Sequence, residues 1–240
     1  MHKKLVIIPT YNEIENIENI IRAVFENFET DLLIIDDGSP DGTATKVKQL
    51  INEFPDRLYI EERTGKQGLG TAYIHGFKWG IARDYDFIFE MDADFSHDPK
   101  DLSRLYEACV SRKADLVIGS RYCQGVNVLN WPMSRLLMSY YGSMYVHFVL
   151  GIPVHDTTAG FKCYRTDALK QIDFSKIQHI GYGFQIEMKF NFYQKGFRIE
   201  EVPIVFRDRT LGTSKMSSGI FKEAILGVIG LKIRSWFNKK

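Results

Sequence analysis

Two aspartates at the end of an apolar run are the residues of this sequence best suited to chemistry. Residues 86–99 read DFIFEMDADFSHDP, and the run at 87–91 predicts a buried strand that ends in Asp92 and Asp94. Side chains two residues apart at a strand end can point the same way, with Cα atoms roughly 6–7 Å apart. Because like charges at this spacing repel, the pair favours a cation beside it. Mg²⁺ or Mn²⁺ fits this pair better than zinc, because His97 is the one possible nitrogen ligand close by in the sequence. The usual partner of such a metal is a diphosphate.

The alternative for these aspartates is a solvated acidic turn, with Asp98 and Pro99 beginning the next helix. Two further polar turns argue for a site, because each also follows a predicted strand. They are residues 9–13 (PTYNE) and residues 36–41 (DDGSPD). In a parallel sheet the carboxyl ends of the strands meet at one edge, where ligands bind. His97 is interpreted as a polar loop residue rather than a metal ligand.

The elements that position these turns alternate between strands and helices. Strands are predicted at residues 5–8, 32–35, 58–60, 87–91 and 116–119. Helices are predicted at residues 14–28, 43–54, 71–82 and 99–111, with Asn12 as the cap of the first. This order predicts an α/β fold with a parallel sheet and right-handed crossovers.

A glycine-bearing loop at residues 65–70 (GKQGLG) excludes two common nucleotide sites. It lacks the G-x-x-x-x-G-K-[ST] register, and the first strand leads into PTYNE rather than G-x-G-x-x-G. Gly68 and Gly70 are therefore predicted to make a tight turn and a close helix packing.

Composition narrows the class of protein further. The 240 residues carry a formal net charge of +1, which gives no general attraction to nucleic acid. The three cysteines are far apart in sequence, which favours reduced thiols in a cytosolic compartment. The apolar run at residues 5–8 is too short for a signal peptide core or a membrane span.

Taken together, these stretches resemble the family 2 glycosyltransferases with the GT-A fold, and within them the polyprenol (dolichyl) phosphate mannose synthases. The resemblance covers nearly the whole chain. The matching stretches are IIPTYNE, IDDGSPDGT, GLGTAYIHG, MDADFSHDP, GSRY, TTAGFKCYR and RTLGTSK. The Q-x-x-R-W motif of processive polysaccharide synthases is absent.

The resemblance implies a role for particular residues. Contacts to the nucleotide are implied for Pro9, Tyr11 and Glu13, with Ile35 and Asp37 around the base and ribose. The segment that holds the metal and the donor diphosphate matches Asp92, Ala93 and Asp94. A mobile basic loop that closes over phosphate matches Arg209 and Lys215. Where some relatives carry a glutamine as a further ligand, this chain has Ser96, which leaves the third protein ligand open.

The chemistry of such a reaction asks for positive charge more than for a base. A leaving diphosphate is stabilised by a metal and by basic side chains. A phosphate monoester acceptor is already anionic at neutral pH, since its second pKa is about 6. Arg121, after a strand, and Arg135, at a helix start, suit bidentate phosphate contact, although Arg135 has helix solvation as its alternative role. Asp156 stands where relatives with hydroxyl acceptors carry a base, and here it is expected to orient a loop or the acceptor instead.

Two apolar segments bear on how the chain would meet a lipid. Residues 136–150 are mostly apolar or Tyr, but a membrane span needs about 20 such residues. They fit an interfacial helix that leads a lipid tail towards the site, or equally a core helix. Residues 218–237 give a second wide apolar face, and the charges after Glu223 are all basic. This segment is predicted to lie in the plane of a bilayer, with packing against the domain as the alternative.

The sequence thus predicts a GT-A domain at residues 1–217 and an amphipathic, membrane-associating helix at residues 218–240. The expected enzyme is peripheral, on the cytoplasmic face of a membrane, and uses Mg²⁺ or Mn²⁺. It is expected to move mannose from GDP-mannose to a dolichyl- or undecaprenyl-type phosphate, with inversion. The alternatives are a UDP-sugar donor and a non-catalytic nucleotide-sugar-binding subunit. Whether a membrane partner subunit takes part stays open.

Overall fold

The structure is a computed structural model that describes residues 2–208 and 219–237. Within these ranges, the side chains of residues 182, 219–226 and 237 are not described. A seven-stranded sheet forms the centre. Its strands are β1 Lys4–Thr10, β2 Asp31–Asp36, β3 Leu58–Glu62, β4 Phe87–Glu90, β5 Leu116–Ser120, β7 Lys162–Arg165 and β8 Ile199–Pro203. Their order in the sheet is β3-β2-β1-β4-β7-β5-β8.

The sheet is parallel apart from one strand. The neighbours of β7 are β4 and β5, and β7 runs antiparallel to both. All five strands predicted from apolar runs are present. Strands β1 to β4 pair with one another in parallel as expected, and β5 pairs in parallel with β8. A small parallel ribbon lies beside the sheet and pairs β6 Val128–Leu129 with β9 Phe206–Arg207.

Helices cover both faces of the sheet. They are α1 Ile17–Asn27, α2 Thr43–Ile51, α3 Leu69–Ile81, α4 Asp101–Ser111, α5 Met133–Leu150, α6 Thr166–Leu169, α7 Tyr182–Gln194 and α8 Gly219–Phe237. One hydrophobic cluster joins α1, α2 and α4 to one face, and a second joins α3 and α7 to the other. None of the described helices is long and apolar enough to cross a membrane.

The start of α1 differs from the prediction. The helix begins at Ile17, and Asn12 does not cap it but adopts a φ of 56° in the preceding turn. Its backbone N–H donates to Ser39 Oγ at 3.0 Å, which ties the first turn of the chain to the turn after β2. The prediction was wrong because residues 14–16 form a turn before the helix, so that Asn16 and not Asn12 is its cap residue.

The two glycines predicted to serve turn and packing do so. Gly68 has a φ of +100°, a conformation that favours glycine. A Cβ on Gly70 would come within 2.7 Å of the Phe184 ring, so α3 and α7 approach closely at this point. This approach holds the start of α7 against the start of α3.

The last helix has two different faces. Val228 and Leu231 of α8 are buried in a third cluster with residues of α5 and α7. Ile229, Ile233 and Trp236 lie on the opposite side and are exposed, Trp236 to 64%. The segment therefore packs against the domain and also presents an exposed apolar face, and its contact with a bilayer stays a prediction.

Helix α5 is not a core helix. Only Ser143, Val146 and Leu150 of its 18 residues are buried. Several of its large apolar side chains are exposed, and Phe148 is exposed to 87%. The alternative of a core helix for residues 136–150 is therefore wrong, and the apolar side chains of this helix are directed largely to the surface.

Candidate active site

The three polar turns singled out in the sequence meet at one edge of the sheet. In the register of β1 and β2, Thr10 pairs with Asp36, and in that of β1 and β4, Ile7 pairs with Glu90. The turns after these strands therefore leave from the same edge. The Asp37 backbone N–H donates to the Thr10 carbonyl oxygen at 3.0 Å, which joins the first two turns directly.

The aspartate pair at the end of β2 is fixed by its surroundings. Asp36 accepts hydrogen bonds from Thr10 Oγ1 at 2.9 Å and from Ser39 Oγ at 2.6 Å. Asp37 is buried and accepts from Arg63 Nε at 2.7 Å. The Gln67 backbone N–H lies 3.4 Å from the other Asp37 oxygen, so the glycine loop closes over this carboxylate.

The first turn is held by the start of α2 and by the cap residue of α1. The Glu13 backbone N–H donates to Thr43 Oγ1 at 3.1 Å, and Asn16 donates to the Glu13 carboxylate at 3.0 Å. Lys66 lies 5.5 Å from the centre of the Tyr11 ring, at the distance of a cation–π contact. Glu13 and Tyr11 are half-buried at the edge where a ligand is expected.

Two more of the predicted nucleotide contacts differ in accessibility. Pro9 is half-buried near the end of β1. The Ile35 side chain is fully buried in the core cluster shared with α3 and α7. A contact of Ile35 with a nucleotide would therefore be made by its main chain, while its side chain supports the turn from below.

The D-x-D segment has one exposed and one buried carboxylate. The Asp92 side chain is 39% exposed, and the Tyr73 hydroxyl lies 3.5 Å from its Oδ1. Asp94 is buried and accepts from the hydroxyl of Ser96 at 2.6 Å and from its backbone N–H at 3.1 Å. Ala93 is buried between them. In this chain Ser96 is therefore a hydrogen-bond partner that orients Asp94.

His97 belongs to the core beneath this turn. It is buried, its ring stacks on Phe161 at 4.8 Å, and its Nδ1 accepts from the Asp92 backbone N–H at 3.2 Å. Burial lowers the pKa of His97 to about 4, so the ring is neutral at neutral pH. His97 lies in a loop, as expected, but in contrast to a solvent-exposed loop residue it is buried, because its ring packs between the turn and Phe161.

Arg121, directly after β5, is buried and paired. It makes a two-pronged ion pair with Asp156, with Nε to Oδ2 at 2.7 Å and Nη2 to Oδ1 at 2.6 Å. Nη2 also donates to Thr158 Oγ1 at 2.8 Å. Burial acts to raise the pKa of Asp156, but Arg121 outweighs it and holds this pKa below its ordinary value. The fully buried Asp156 thus stays charged and orients the guanidinium.

Arg135, in the first turn of α5, converges on the same place. Its guanidinium lies 4.1 Å from the ring centre of Trp131, and that of Arg121 lies 5.4 Å from it. Arg135 also donates to Asp208 at 2.8 Å. Phe206 links this cluster to the D-x-D turn, because its ring contacts both Trp131 and His97 at 5.2 and 5.6 Å. The structure thus brings the two arginines together, beside the turn of Asp92 and Asp94.

Two of the predicted site residues, Arg209 and Lys215, lie outside the described residues. Among the residues that are described, no group of three or more His, Cys, Asp or Glu side chains could hold a metal ion. Two oxygen ligands with space for water and phosphate are nevertheless the usual protein share of a Mg²⁺ site. Asp92 and Asp94 fit such an ion, since Asp92 is accessible and Asp94 is pre-oriented by Ser96.

Comparison with known proteins now identifies the family. The family model described as "Glycosyl transferase family 2" matches residues 5–173, a stretch that contains all three turns and both arginines. The chain belongs to glycosyltransferase family 2. It is therefore an enzyme of the glycosyltransferase class, as its motifs indicated.

Two curated relatives are similar over nearly their full length. A polyprenol monophosphomannose synthase of Mycolicibacterium smegmatis is 47% identical, over 97% of this chain and 88% of the relative. An undecaprenyl-phosphate mannosyltransferase of Micrococcus luteus is 49% identical, over 93% of this chain and 91% of the relative. The expected membership of family 2 is confirmed.

Solved structures confirm the GT-A type of fold. A glucosyl-3-phosphoglycerate synthase from Mycobacterium tuberculosis, in complex with Mn²⁺, UDP and glucosyl-3-phosphoglycerate, superposes with a TM-score of 0.71 at 17% identity. That match covers 96% of this chain and 80% of the other. A mannosyltransferase from Pyrobaculum calidifontis in complex with GDP-Man and Mn²⁺ superposes with a TM-score of 0.59 at 14% identity, over 97% and 73% of the chains. At these identities the likeness concerns the fold.

Several residues of the site were not singled out from the sequence. Arg63, Thr158 and Phe206 contact Asp37, Arg121 and Trp131 respectively, and each is far from its partner in sequence. Their position could have been found only through pairing of distant elements. A local signal existed for Arg63 and Asp37, because these two residues of opposite charge each follow the end of a predicted strand.

Proposed function

We propose that this family 2 glycosyltransferase moves a mannosyl group from GDP-mannose to a polyprenyl phosphate, with inversion and with Mg²⁺ or Mn²⁺. Relatives of 47% and 49% identity carry the names of polyprenol-linked mannosyltransferases, which supports this assignment. The observation that carries it is the convergence of Arg121 and Arg135 on the Trp131 ring, beside the D-x-D turn. Two arginines in that place suit an acceptor whose reactive group is a phosphate.

The donor would occupy the edge formed by the three turns. Pro9, Tyr11 and Glu13 would line one side of the nucleotide, with Asp37 and the main chain of Ile35 near the base and ribose. Asp92 and Asp94 would hold the metal at the diphosphate, beside Ala93. The metal would stabilise negative charge on the leaving diphosphate. Arg209 and Lys215 would add positive charge at the same group, by the family resemblance.

The transfer itself needs no strong base. A phosphate oxygen of the lipid attacks the anomeric carbon, the bond from that carbon to the diphosphate oxygen breaks, and GDP leaves with both bonding electrons. The acceptor oxygen is already deprotonated at neutral pH, because the second pKa of a phosphate monoester is about 6. Asp156 is committed to Arg121 and is fully buried, so its proposed role is to orient that arginine. Catalysis would rest on positioning and charge stabilisation.

The lipid would arrive along the apolar surfaces of α5 and α8. Exposed side chains of α5 include Met138, Tyr141 and Phe148, and α5 begins beside the two arginines. The exposed face of α8 adds Ile229, Ile233 and Trp236. Such faces suit in-plane contact with a bilayer, and the proposed location is the cytoplasmic face of a membrane. Participation of a membrane partner subunit would be an addition to this arrangement.

The test is direct detection of product. Purified protein is incubated with a polyprenyl phosphate and either GDP-mannose, UDP-glucose or UDP-N-acetylglucosamine, with Mg²⁺, Mn²⁺ or a chelator. We expect a mannosylated lipid phosphate from GDP-mannose alone, lost on chelation, and mass spectrometry of the lipid extract identifies it.

Each other outcome of that assay has a meaning. Product from a UDP-sugar would overturn the donor assignment and favour the UDP-dependent alternative. Nucleotide binding without product from any donor would favour a non-catalytic subunit. Product in the presence of chelator would refute the metal requirement.

A further inference from the structure

A short segment runs between the donor and acceptor parts of the site and contacts both. We call residues 156–161 (DTTAGF) the bridging segment. At its start, Asp156 and Thr158 bind the guanidinium of Arg121 at 2.6–2.8 Å. The orientation of the acceptor arginine therefore depends on where this segment lies.

The other end of the bridging segment touches the D-x-D turn. A Cβ on Gly160 would lie 3.9 Å from Asp92 Oδ2 and 3.8 Å from His97 Cε1. Phe161 stacks on His97, with the two rings inclined by only 12°. The His97 ring in turn accepts from the backbone N–H of Asp92. The segment is thus held at the donor turn by its far end and contacts Arg121 at its start, so its course sets the distance between the two.

Two polar side chains from other elements, a fully buried lysine and a half-buried glutamate, fix this segment. Lys189 of α7 is fully buried, and its Nζ donates to the carbonyl oxygens of Thr157 at 3.0 Å and Ala159 at 2.7 Å. Glu201 of β8 accepts from the backbone N–H groups of His155 at 2.8 Å and Asp156 at 3.0 Å. One anchor therefore holds carbonyl groups of the segment, and the other holds the amides at its start.

Burying a lysine side chain is energetically unfavourable, because its amine loses contact with water. Burial, together with repulsion by Lys162, lowers the pKa of Lys189 well below its ordinary value. In the described part of the chain, the Lys189 amine contacts backbone carbonyl oxygens and forms no ion pair with a carboxylate. Apolar residues of similar volume usually serve stability as well as buried charges do. An amine at this position is therefore explained by the geometry that it imposes on the two carbonyl groups.

We propose that Lys189 and Glu201 are positioning residues, which fix the bridging segment and thereby the distance between the donor and the acceptor phosphate. The proposal rests on the proposed transfer to a lipid phosphate. Neither residue needs to touch a substrate. Their loss should spare the donor site itself and impair the alignment of the two reactants, and small misalignments cost up to about a hundredfold in rate.

The test compares two reactions of the same protein. Transfer of sugar to lipid phosphate needs both halves of the site, whereas slow hydrolysis of the sugar nucleotide, measured without lipid, needs the donor half. In Lys189→Met we expect a fall of tenfold or more in the kcat for transfer, on the order allowed for misalignment. Donor hydrolysis and the affinity for GDP with Mn²⁺ should stay within about twofold of the parent, as expected when the donor contacts are intact.

Controls separate this from a general loss of structure. Lys195→Met places the same substitution at the exposed C-terminal end of α7 and should leave both reactions unchanged. Glu201→Gln, which keeps the volume, should lower the ratio of transfer to hydrolysis in the same direction. It decides the question if Lys189→Met does not fold, which circular dichroism and thermal melting will show.

Three results would overturn the proposal. They are an unchanged ratio in a folded Lys189→Met protein, an equal fall of transfer and hydrolysis, and, where only Glu201→Gln folds, an unchanged ratio in that variant. If the parent protein itself makes no lipid-linked sugar yet hydrolyses the donor, then it is the proposed function that fails. That result is distinct, because it appears before any substitution is made.

Discussion

The two arginines that stack on Trp131 are held in different ways, so their loss should have different consequences. Arg121 is buried in an ion pair with Asp156, whereas the Arg135 side chain is 25% exposed and pairs with Asp208. Removing one partner of a buried pair leaves a charge without compensation, which typically costs about 3–5 kcal/mol. Substitution of Arg121 therefore mixes a loss of function with a loss of stability, and Arg135 offers the cleaner test.

We expect Arg135→Gln to raise the KM for the lipid phosphate about tenfold or more, because a charged hydrogen bond to phosphate contributes roughly 1.5–3 kcal/mol. The KM for the donor and the melting temperature should change little. The matched control is Arg112→Gln, which breaks another partly exposed pair, with Glu200, at the C-terminal end of α4. Steady-state kinetics with each substrate varied in turn would measure the two KM values. An unchanged KM for the acceptor would mean that Arg135 only solvates the start of its helix.

The lowered pKa of Asp156 leads to a prediction about how the stability of the fold depends on pH. Since its folded pKa lies below its ordinary value, near 3.9, its contribution to stability is complete above that ordinary pH. The contribution is lost as the pH falls through the lower, folded value. We therefore expect Asp156→Asn to unfold more easily than the parent at pH 7, by roughly 3–5 kcal/mol. The difference should shrink below about pH 4, and urea titrations from pH 3 to pH 7 would reveal a constant difference if this is wrong.

The two aspartates of the D-x-D turn can be tested against an aspartate elsewhere. Asp92→Asn and Asp94→Asn should each lower turnover by about a hundredfold or more, as expected when charge stabilisation of the leaving group is lost. Both proteins should remain folded. Asp167→Asn on α6 is the control, because that side chain is 86% exposed and follows β7 at the opposite edge of the sheet. A folded Asp94→Asn protein with near-parental turnover in Mn²⁺ would contradict the assignment.

At the scale of elements, α8 should separate packing from membrane contact. Its exposed residues Ile229, Ile233 and Trp236 follow helical spacing, and replacing all three by serine should abolish binding to anionic vesicles at low salt. The fold should survive, since these side chains lie away from the third cluster. Leu231→Ala on the buried side should have the converse effect, with a loss of roughly 2–5 kcal/mol in stability and vesicle binding retained.

Co-sedimentation at low and high salt would measure this prediction. Charge attraction to an anionic surface is screened by salt, because the Debye length falls to about 3 Å at 1 M. If the triple variant pellets with vesicles as the parent does, the exposed face of α8 is not the membrane contact. Truncation near residue 217 is a poorer test, since it removes Val228 and Leu231 from a packed cluster.

The elements also show where sequence reasoning succeeds and where it stops. The apolar runs of β1, β2 and β4 correctly predict buried parallel strands, and the polar residues at the ends of these runs predict the position of the site. Strand β7 went unrecognised because it is short and carries Lys162, whose charge is compensated by Glu90 on the adjacent strand at 3.0 Å. The ion pair of Arg121 with Asp156 is similarly hidden, since no local pattern connects residues that distant in sequence.

For the whole molecule, binding of the donor nucleotide should be visible as stabilisation. A ligand present at a hundred times its dissociation constant adds about 2.7 kcal/mol to the free energy of unfolding. We expect GDP with Mn²⁺ to raise the melting temperature more than UDP with Mn²⁺, and either nucleotide without metal to raise it less. An equal or larger shift with UDP would count against the guanine nucleotide.

The antiparallel course of β7 determines where the segment between β5 and β7 leaves and re-enters the sheet. Strand β5 ends at the site edge with Ser120, and β7 begins there with Lys162, because Ile118 pairs with Lys162 in opposite directions. Everything from residue 121 to residue 161, including α5 and Trp131, is thus an excursion that leaves and re-enters the sheet at one edge. The strand ends of the sheet thus carry the proposed donor side of the site, and this one excursion carries most of the proposed acceptor side. We therefore expect substitutions within the excursion to alter the use of the acceptor and to leave the strand order unchanged.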